Sequence, residues 1–160
     1  MSDEVLHQHD GVSRLDCDST AAFFSIGLRA SLVDPSEVSV WADGMLRRIE
    51  TPDPSLCELA LASDVEEQIS LLNALRGGAD LPTVFEALMR RLRAWYERGA
   101  MDLRQTIGKL AIIASEFESK EDLRIDALTL DDELADANAG IVRLETVRAG
   151  LQEVFDQNIH

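Results

Sequence analysis

The fold class of this chain follows from one stretch, Asp34-Pro35-Ser36-Glu37-Val38-Ser39-Val40-Trp41-Ala42-Asp43-Gly44-Met45-Leu46. Its first four residues form a helix start: the Asp side chain can cap the backbone, Pro suits the first helical position, and Glu completes a capping box. The apolar residues that follow recur at helical spacing, at Val38, Trp41, Ala42, Met45, Leu46 and Ile49. This spacing predicts an amphipathic helix with one face in a core.

The same kind of helix start recurs along the chain. Asp53 precedes Pro54 in the same cap-then-proline order, and Ser63-Asp64-Val65-Glu66 reads as a second capping box. A first helix is expected to begin near Asp18 or Ser19, either of which can cap it, and a longer one opens at Pro82. Gly77-Gly78 is expected to end the preceding helix in a left-handed C-cap, and Gly99 to end the long helix.

The second half of the chain continues the helical pattern. A helix over 101–117 is followed by apolar turns that we expect to be interrupted near Thr129 and Gly140, and a last helix over about 143–156. No segment alternates with period two, and the connections are short. The sequence therefore predicts an all-α fold of about seven to eight antiparallel helices, in an irregular bundle or short helical array. The predicted organisation is a flexible acidic N-terminal arm over 1–17 and a single helical domain over 18–160.

Composition narrows the class of protein. With 160 residues, of which 46% are hydrophobic, the chain can form a stable core without disulfide bonds. Cys17 and Cys57 lack CxxC spacing, so we expect reduced thiols. The start of the chain is acidic, unlike a signal peptide, and no apolar run reaches membrane-spanning length. These features predict a cytoplasmic location.

Charge is unevenly distributed along the chain. Thirty acidic and fifteen basic residues give a net charge of −15. Residues 1–80 have a net charge of −10, residues 81–110 a net charge of +3, and residues 111–136 a net charge of −7. An arginine-rich helix pair is thus followed directly by a segment dense in acids.

Two interpretations of this pattern stay open. Both segments can be solvated helix faces, with arginines neutralising acids on adjacent helices. Alternatively, the acidic segment docks a basic partner, because complementary potentials speed encounter and select partners. The second interpretation gives two kinds of candidate binding residue. Trp95, beside the arginines, is a candidate aromatic anchor. The others are acids of the later segment: Glu118, Glu121, Asp122, Asp126, Asp131, Asp132, Glu133 and Asp136.

The sequence gives little support to catalysis, metal binding or nucleic-acid binding. The histidines are His7, His9 and His160, and none lies in the predicted core, where it could act as a base for Cys17 or Cys57. No phosphate loop or calcium loop has the required spacing, so we expect no catalytic residue, metal or cofactor. A charge of −15 opposes the approach of nucleic acid.

Several short motifs are similar to those of one group of proteins. They are Ile26-Gly27-Leu28, Val33-Asp34-Pro35-Ser36-Glu37-Val38, Trp41-Ala42-Asp43, Glu58-Leu59-Ala60-Leu61-Ala62, Ile69-Ser70-Leu71-Leu72, Leu130-Asp131-Asp132-Glu133, Gly140-Ile141 and Leu144-Glu145. Together they resemble small all-helical bacterial proteins that are encoded beside polymorphic and contact-dependent toxins and are treated as immunity proteins. This chain departs from the group at Leu134 and Val142, where the group has aromatic residues.

The resemblance implies no catalytic residue. It favours a non-catalytic protein-binding domain, an immunity protein that neutralises a cognate toxin such as a nuclease through an acidic surface. The alternative is a helical interaction or adaptor domain with no toxin partner. In either case we expect a basic protein partner, with no direct contact to nucleic acid or membrane. The sequence leaves the oligomeric state open.

Overall fold

A computed structural model of the chain describes residue 12 and residues 15–160, and these residues contain eight α-helices and no strand. The helices are α1 (Cys17–Arg29), α2 (Pro35–Leu46), α3 (Pro54–Leu61), α4 (Val65–Leu75), α5 (Leu81–Glu97), α6 (Leu103–Ser115), α7 (Glu121–Asn138) and α8 (Leu144–Asn158). A 3₁₀ turn, Glu118–Lys120, links α6 to α7. The all-α class and the predicted number of helices are confirmed.

The chain divides into two compact units, Met1–Val84 and Phe85–His160, with the boundary in the first turn of α5. The first unit contains α1 to α4, and the second contains the rest of α5 and α6 to α8. The predicted flexible arm over 1–17 lies almost entirely outside the described residues.

Aspartate side chains start most of the helices. A backbone N–H in the first turn donates to Asp16, Asp34, Asp53, Asp64, Asp80 and Asp102 at the starts of α1 to α6. At Asp34 and Asp102 the side chain of Glu37 or Gln105 also accepts from the cap backbone, which completes a capping box. Each cap satisfies a donor that the helix itself leaves unpaired. By contrast, α7 and α8 begin without a side-chain cap.

Three of the predicted helix ends were wrong. The cap of α1 is Asp16, whose Oδ1 lies 2.7 Å from the Ser19 nitrogen, and neither Asp18 nor Ser19 has that role. Likewise α4 is capped by Asp64 and not by Ser63. Gly77 and Gly78 do not take left-handed angles. The Gly78 N–H instead donates to Asp18 Oδ2 at 2.7 Å, a tertiary contact that the local sequence does not reveal.

The predicted interruption near Thr129 was also wrong, because α7 runs through it without a break. The Thr129 hydroxyl donates to the Ile125 carbonyl oxygen at 2.9 Å, one turn earlier in the same helix. This bond satisfies the hydroxyl inside the helix, so the residue does not need a turn. The end near Gly140 is confirmed, since Gly140 follows the helix with a left-handed φ of 77°.

The core of the first unit is built on α1. Ten successive residues of this helix, from Ser19 to Leu28, are buried, so α1 is enclosed on all sides. It packs against α4, while α3 packs against both α2 and α4. The Phe24 ring meets the Trp41 ring edge-on, with centroids 5.5 Å apart, which places the half-buried indole at the edge of this core.

The second unit packs α7 between α6 and α8. Its core holds Leu88, Met89 and Leu92 of α5 together with apolar residues of the later helices: Ile107, Leu110, Ile113, Leu123, Leu130, Val147, Leu151 and Phe155. The Phe85 ring meets the Phe117 ring at 5.2 Å, and Tyr96 lies 6.4 Å from Phe155. The unit thus holds the inner face of α7 against α6 and α8.

Gly78→Ala should destabilise the protein. A Cβ at residue 78 would lie 2.6 Å from Asp18 Oδ2, so the N–H bond to that carboxylate must lengthen or break. We expect a loss of about 1 kcal/mol in the free energy of unfolding, measured by urea denaturation. Gly77→Ala is the matched control, because nothing lies within 4 Å of its Cβ. Equal stabilities of the two variants would contradict the importance of the Asp18 contact.

Asp34→Ala should cost about 1 kcal/mol of stability at pH 7, the usual value of an N-cap. The Ser36 hydroxyl and backbone N–H donate to Asp34 and lower the pKa of its carboxyl. A lowered pKa in the folded state gives stability that is present at neutral pH and lost as the pH falls below about 4. The wild-type chain and Asp34→Ala should therefore differ less in free energy of unfolding at pH 3 than at pH 7, as measured by urea denaturation. An equal difference at both pH values would show that the charge of Asp34 does not contribute to the cap.

Candidate functional site

The arginines of α5 are engaged within the second unit. Arg90 pairs with Glu86 at 2.6 Å and donates to the His160 carbonyl oxygen. Arg93 pairs with Glu97 at 2.8 Å and with Asp156 of α8 at 3.5 Å. These contacts use the basic charge of α5 to hold its own helix and the end of α8.

Two further arginines in this region do not form an open basic surface. The Arg91 side chain is 2% exposed and has polar interactions. Arg98 lies over the Trp95 ring, with its guanidinium carbon 5.5 Å from the ring centroid. Among the described residues no hydrogen bond joins Trp95 to the acidic candidates. The structure therefore places Trp95 beside an arginine.

The acidic candidates lie on the 3₁₀ turn and on α7. Glu118 is in the turn, Glu121 and Asp122 are in the first turn of α7, and the others follow along this helix. All are exposed or half-buried. Since a helix turns about 100° per residue, Asp131, Asp132 and Glu133 point in three different directions. The run of three acids is therefore not one cluster.

Unlike Arg90 and Arg93 of α5, most of the acidic candidates have no ion-pair partner in the described residues. Glu121 pairs with Arg124 of the same helix. Within the described part of the chain, the other seven acidic candidates have no ion-pair partner: Glu118, Asp122, Asp126, Asp131, Asp132, Glu133 and Asp136. The negative charge of this segment is thus not neutralised within the described structure.

Some of these acids line a groove between α7 and α8 with a volume of about 200 Å³. Asp126 and Glu133, two turns apart on α7, lie on one wall, and Glu153 of α8 lies on the other. Leu130, Gly150 and Val154 supply apolar lining, and Thr129 and Gln157 add polar groups. Three carboxylates around a partly apolar groove suit a long cationic side chain, whose stem needs apolar contact and whose head needs negative charge.

Gly150 explains why the two helices approach closely at this groove. A Cβ on residue 150 would lie 3.0 Å from Leu130 Cδ2, which is tighter than ordinary van der Waals contact. Sequence reasoning missed Glu153, Gln157 and Gly150. Their spacing of three and four residues places them on one stripe of α8, but nothing in the sequence shows that this stripe faces the acids of α7.

The described residues contain no other arrangement with evident chemistry. A cleft of about 450 Å³ in the first unit is lined mainly by apolar side chains, with Cys17 among its lining residues. Burial, assisted by the Asp18 and Asp16 carboxylates, raises the pKa of the Cys17 thiol, so the nucleophilic thiolate is scarce at neutral pH. His7 and His9 lie outside the described residues.

The described residues also lack a metal-binding group and a membrane-spanning helix. In residue 12 and residues 15–160 there is no group of three or more His, Cys, Asp or Glu side chains that could hold a metal ion. Nor does this part of the chain contain a helix of the length and apolarity that crossing a bilayer requires.

Comparison of the chain with protein-family models, with curated proteins and with solved structures finds no match. The resemblance to immunity proteins therefore stays a prediction from short motifs.

Glu133→Gln should leave the folded protein as stable as before, or slightly more stable, because Glu133 has no ion-pair partner in the described residues and lines a groove with two other carboxylates. The matched variant is Glu86→Gln, which removes the pair with Arg90 and should cost about 0.3–0.5 kcal/mol. Urea denaturation at low ionic strength and at about 1 M salt would measure the change in the free energy of unfolding that each variant causes. The added salt should make both changes smaller. A clear loss of stability in Glu133→Gln would show that this carboxylate has a stabilising partner.

Proposed function

We propose that this chain is a non-catalytic protein-binding domain that neutralises a basic toxin domain by covering part of its surface. The acidic surface, defined as Glu118, the exposed acids of α7 and the groove formed with Glu153, is the binding face. Binding is stoichiometric, and the chain supplies charge and shape without a chemical step.

One observation carries this proposal: arginines in and next to α5 have partners within the second unit, whereas most acids of the acidic surface have none. Arg90, Arg93 and Arg98 contact Glu86, Glu97, Asp156 and Trp95, and seven acidic candidates lack an ion-pair partner among the described residues. Unpaired like charges on one helix repel each other in the free protein. A cationic partner relieves this repulsion, which favours association over the free state.

The sign of the charge decides the class of partner. Nucleic acid carries the same charge as this surface and is repelled at long range. A basic protein is attracted and steered toward the acidic surface. A nuclease toxin is a suitable candidate, because an enzyme that binds phosphates presents cations around its active site, and an acidic surface can cover them.

Co-expression tests the proposal directly. The probe is the toxic domain encoded immediately beside this chain, expressed with and without it in the same host. Restored growth and a co-purified equimolar complex are the expected results. Failure to restore growth, or the lack of a toxin gene at that position, would remove the toxin from the proposal. A complex with a harmless basic neighbour would instead favour an adaptor domain.

Neutralising the acidic surface should slow association with the toxic domain. The test variant is Asp126→Asn, Asp132→Asn and Asp136→Asn, and the control is Asp43→Asn, Glu50→Gln and Glu58→Gln, which changes the net charge equally at exposed sites of the first unit. We expect about a tenfold lower association rate for the test variant at low salt and a smaller effect at physiological salt, by stopped-flow fluorescence. Equal rates for the two variants would place the binding face elsewhere.

A further inference from the structure

The side of α7 that faces away from the core carries two apolar residues. Ile125 is 54% exposed and Leu128 is 64% exposed. They are three residues apart and therefore neighbours on one face of the helix. Glu121, which pairs with Arg124, lies four residues before Ile125, and Asp132, which has no ion-pair partner in the described residues, lies four residues after Leu128. This outer stripe, Glu121, Ile125, Leu128 and Asp132, thus has apolar residues at its centre and acids at both ends.

The opposite side of α7 has its own apolar stripe. Leu123, Ala127, Leu130 and Leu134 are buried and hold the helix against α6 and α8. Packing within the second unit therefore requires only the inner residues. The outer pair contributes little to this core, so burial in the unit does not account for its apolar character.

We propose that the outer stripe is the docking surface for a helix of the basic partner. That helix presents apolar side chains three or four residues apart, which cover Ile125 and Leu128, and lysines or arginines on either side, which face the acids. Helices commonly recognise one another through such an apolar seam with charged flanks. The inference rests on the proposed function and specifies which part of the acidic surface supplies the apolar contact.

Charge excludes the other occupants of an exposed apolar stripe. A second copy of this chain would bring a segment with a net charge of −7 against the same segment of its partner, and like charges in contact are strongly unfavourable. An anionic membrane surface would repel the stripe for the same reason. A cationic helix is the occupant that satisfies both the apolar centre and the acidic ends.

Two synthetic helical peptides test the stripe without knowledge of the natural partner. Each has about 20 residues, long enough to form a helix in water, and lysine at its charged positions. One has leucine at every third and fourth position, and the other has alanine there, so the two peptides have the same charge. Binding to the full chain is measured by fluorescence anisotropy at roughly 0.15 M ionic strength.

The wild-type chain should bind the leucine peptide at least about tenfold more tightly than the alanine peptide, because only leucine covers the exposed pair. The variant Ile125→Gln and Leu128→Gln should lose this preference. Glutamine keeps the charge and the helix propensity, and circular dichroism confirms that the variant is folded. Leu61→Gln is the matched control, since Leu61 is 87% exposed on the first unit and should leave the preference unchanged.

Equal binding of the two peptides by the wild-type chain would contradict the proposal that the outer stripe is a docking surface. An undiminished preference for the leucine peptide in the Ile125→Gln and Leu128→Gln variant would contradict it too. Neither result would contradict binding by the acidic surface, because that surface attracts both peptides equally. Failure of co-expression to protect the host would overturn the proposed toxin neutralisation and does not depend on the peptides. The two inferences therefore fail separately.

Discussion

The hydrogen bond from a backbone N–H to an aspartate side chain at the start of a helix is the interaction on which this fold depends. It occurs at the starts of α1 to α6, in both units. A fold made of short helices has many helix ends, and each end leaves backbone donors unpaired. Aspartate satisfies these donors and also favours the positive end of the helix dipole. Part of the acidity of this chain is therefore structural.

The remaining acidity is distributed differently. The two helices without side-chain caps, α7 and α8, are those that form the acidic groove. Apart from Glu121, Asp122 and Glu145 in the first turns, their carboxylates lie along the helices and away from a helix start. The same residue type thus has two uses in this chain, and its position relative to a helix end decides between them. Net charge alone does not distinguish the two.

Local signals in the sequence predicted most of the fold. The Asp-Pro starts at Asp34 and Asp53 gave the correct caps, because capping depends on residues within a few positions of each other. The errors have both distant and local causes. The sequence predicts a helix end at Gly78, yet its N–H donates to Asp18, sixty residues away. The sequence also predicts a break near Thr129, although its hydroxyl donates to an acceptor one turn earlier in α7.

The site was harder to predict than the fold. The sequence identified the acids of α7 but not the directions in which they point. The groove depends on the close approach at Gly150 and on the side of α8 that meets α7. Both are properties of helix packing, which a pattern of apolar residues within one helix does not specify.

The enclosure of α1 has a consequence for how the protein opens. Its residues from Ser19 to Leu28 are all buried, so water reaches their backbone amides only when the surrounding helices separate. Amide hydrogens in such a helix exchange with solvent through the largest openings of the structure, while those of exposed turns exchange through small local fluctuations. This enclosed helix therefore reports on cooperative unfolding, and its exchange rates measure the free energy of the openings that expose it.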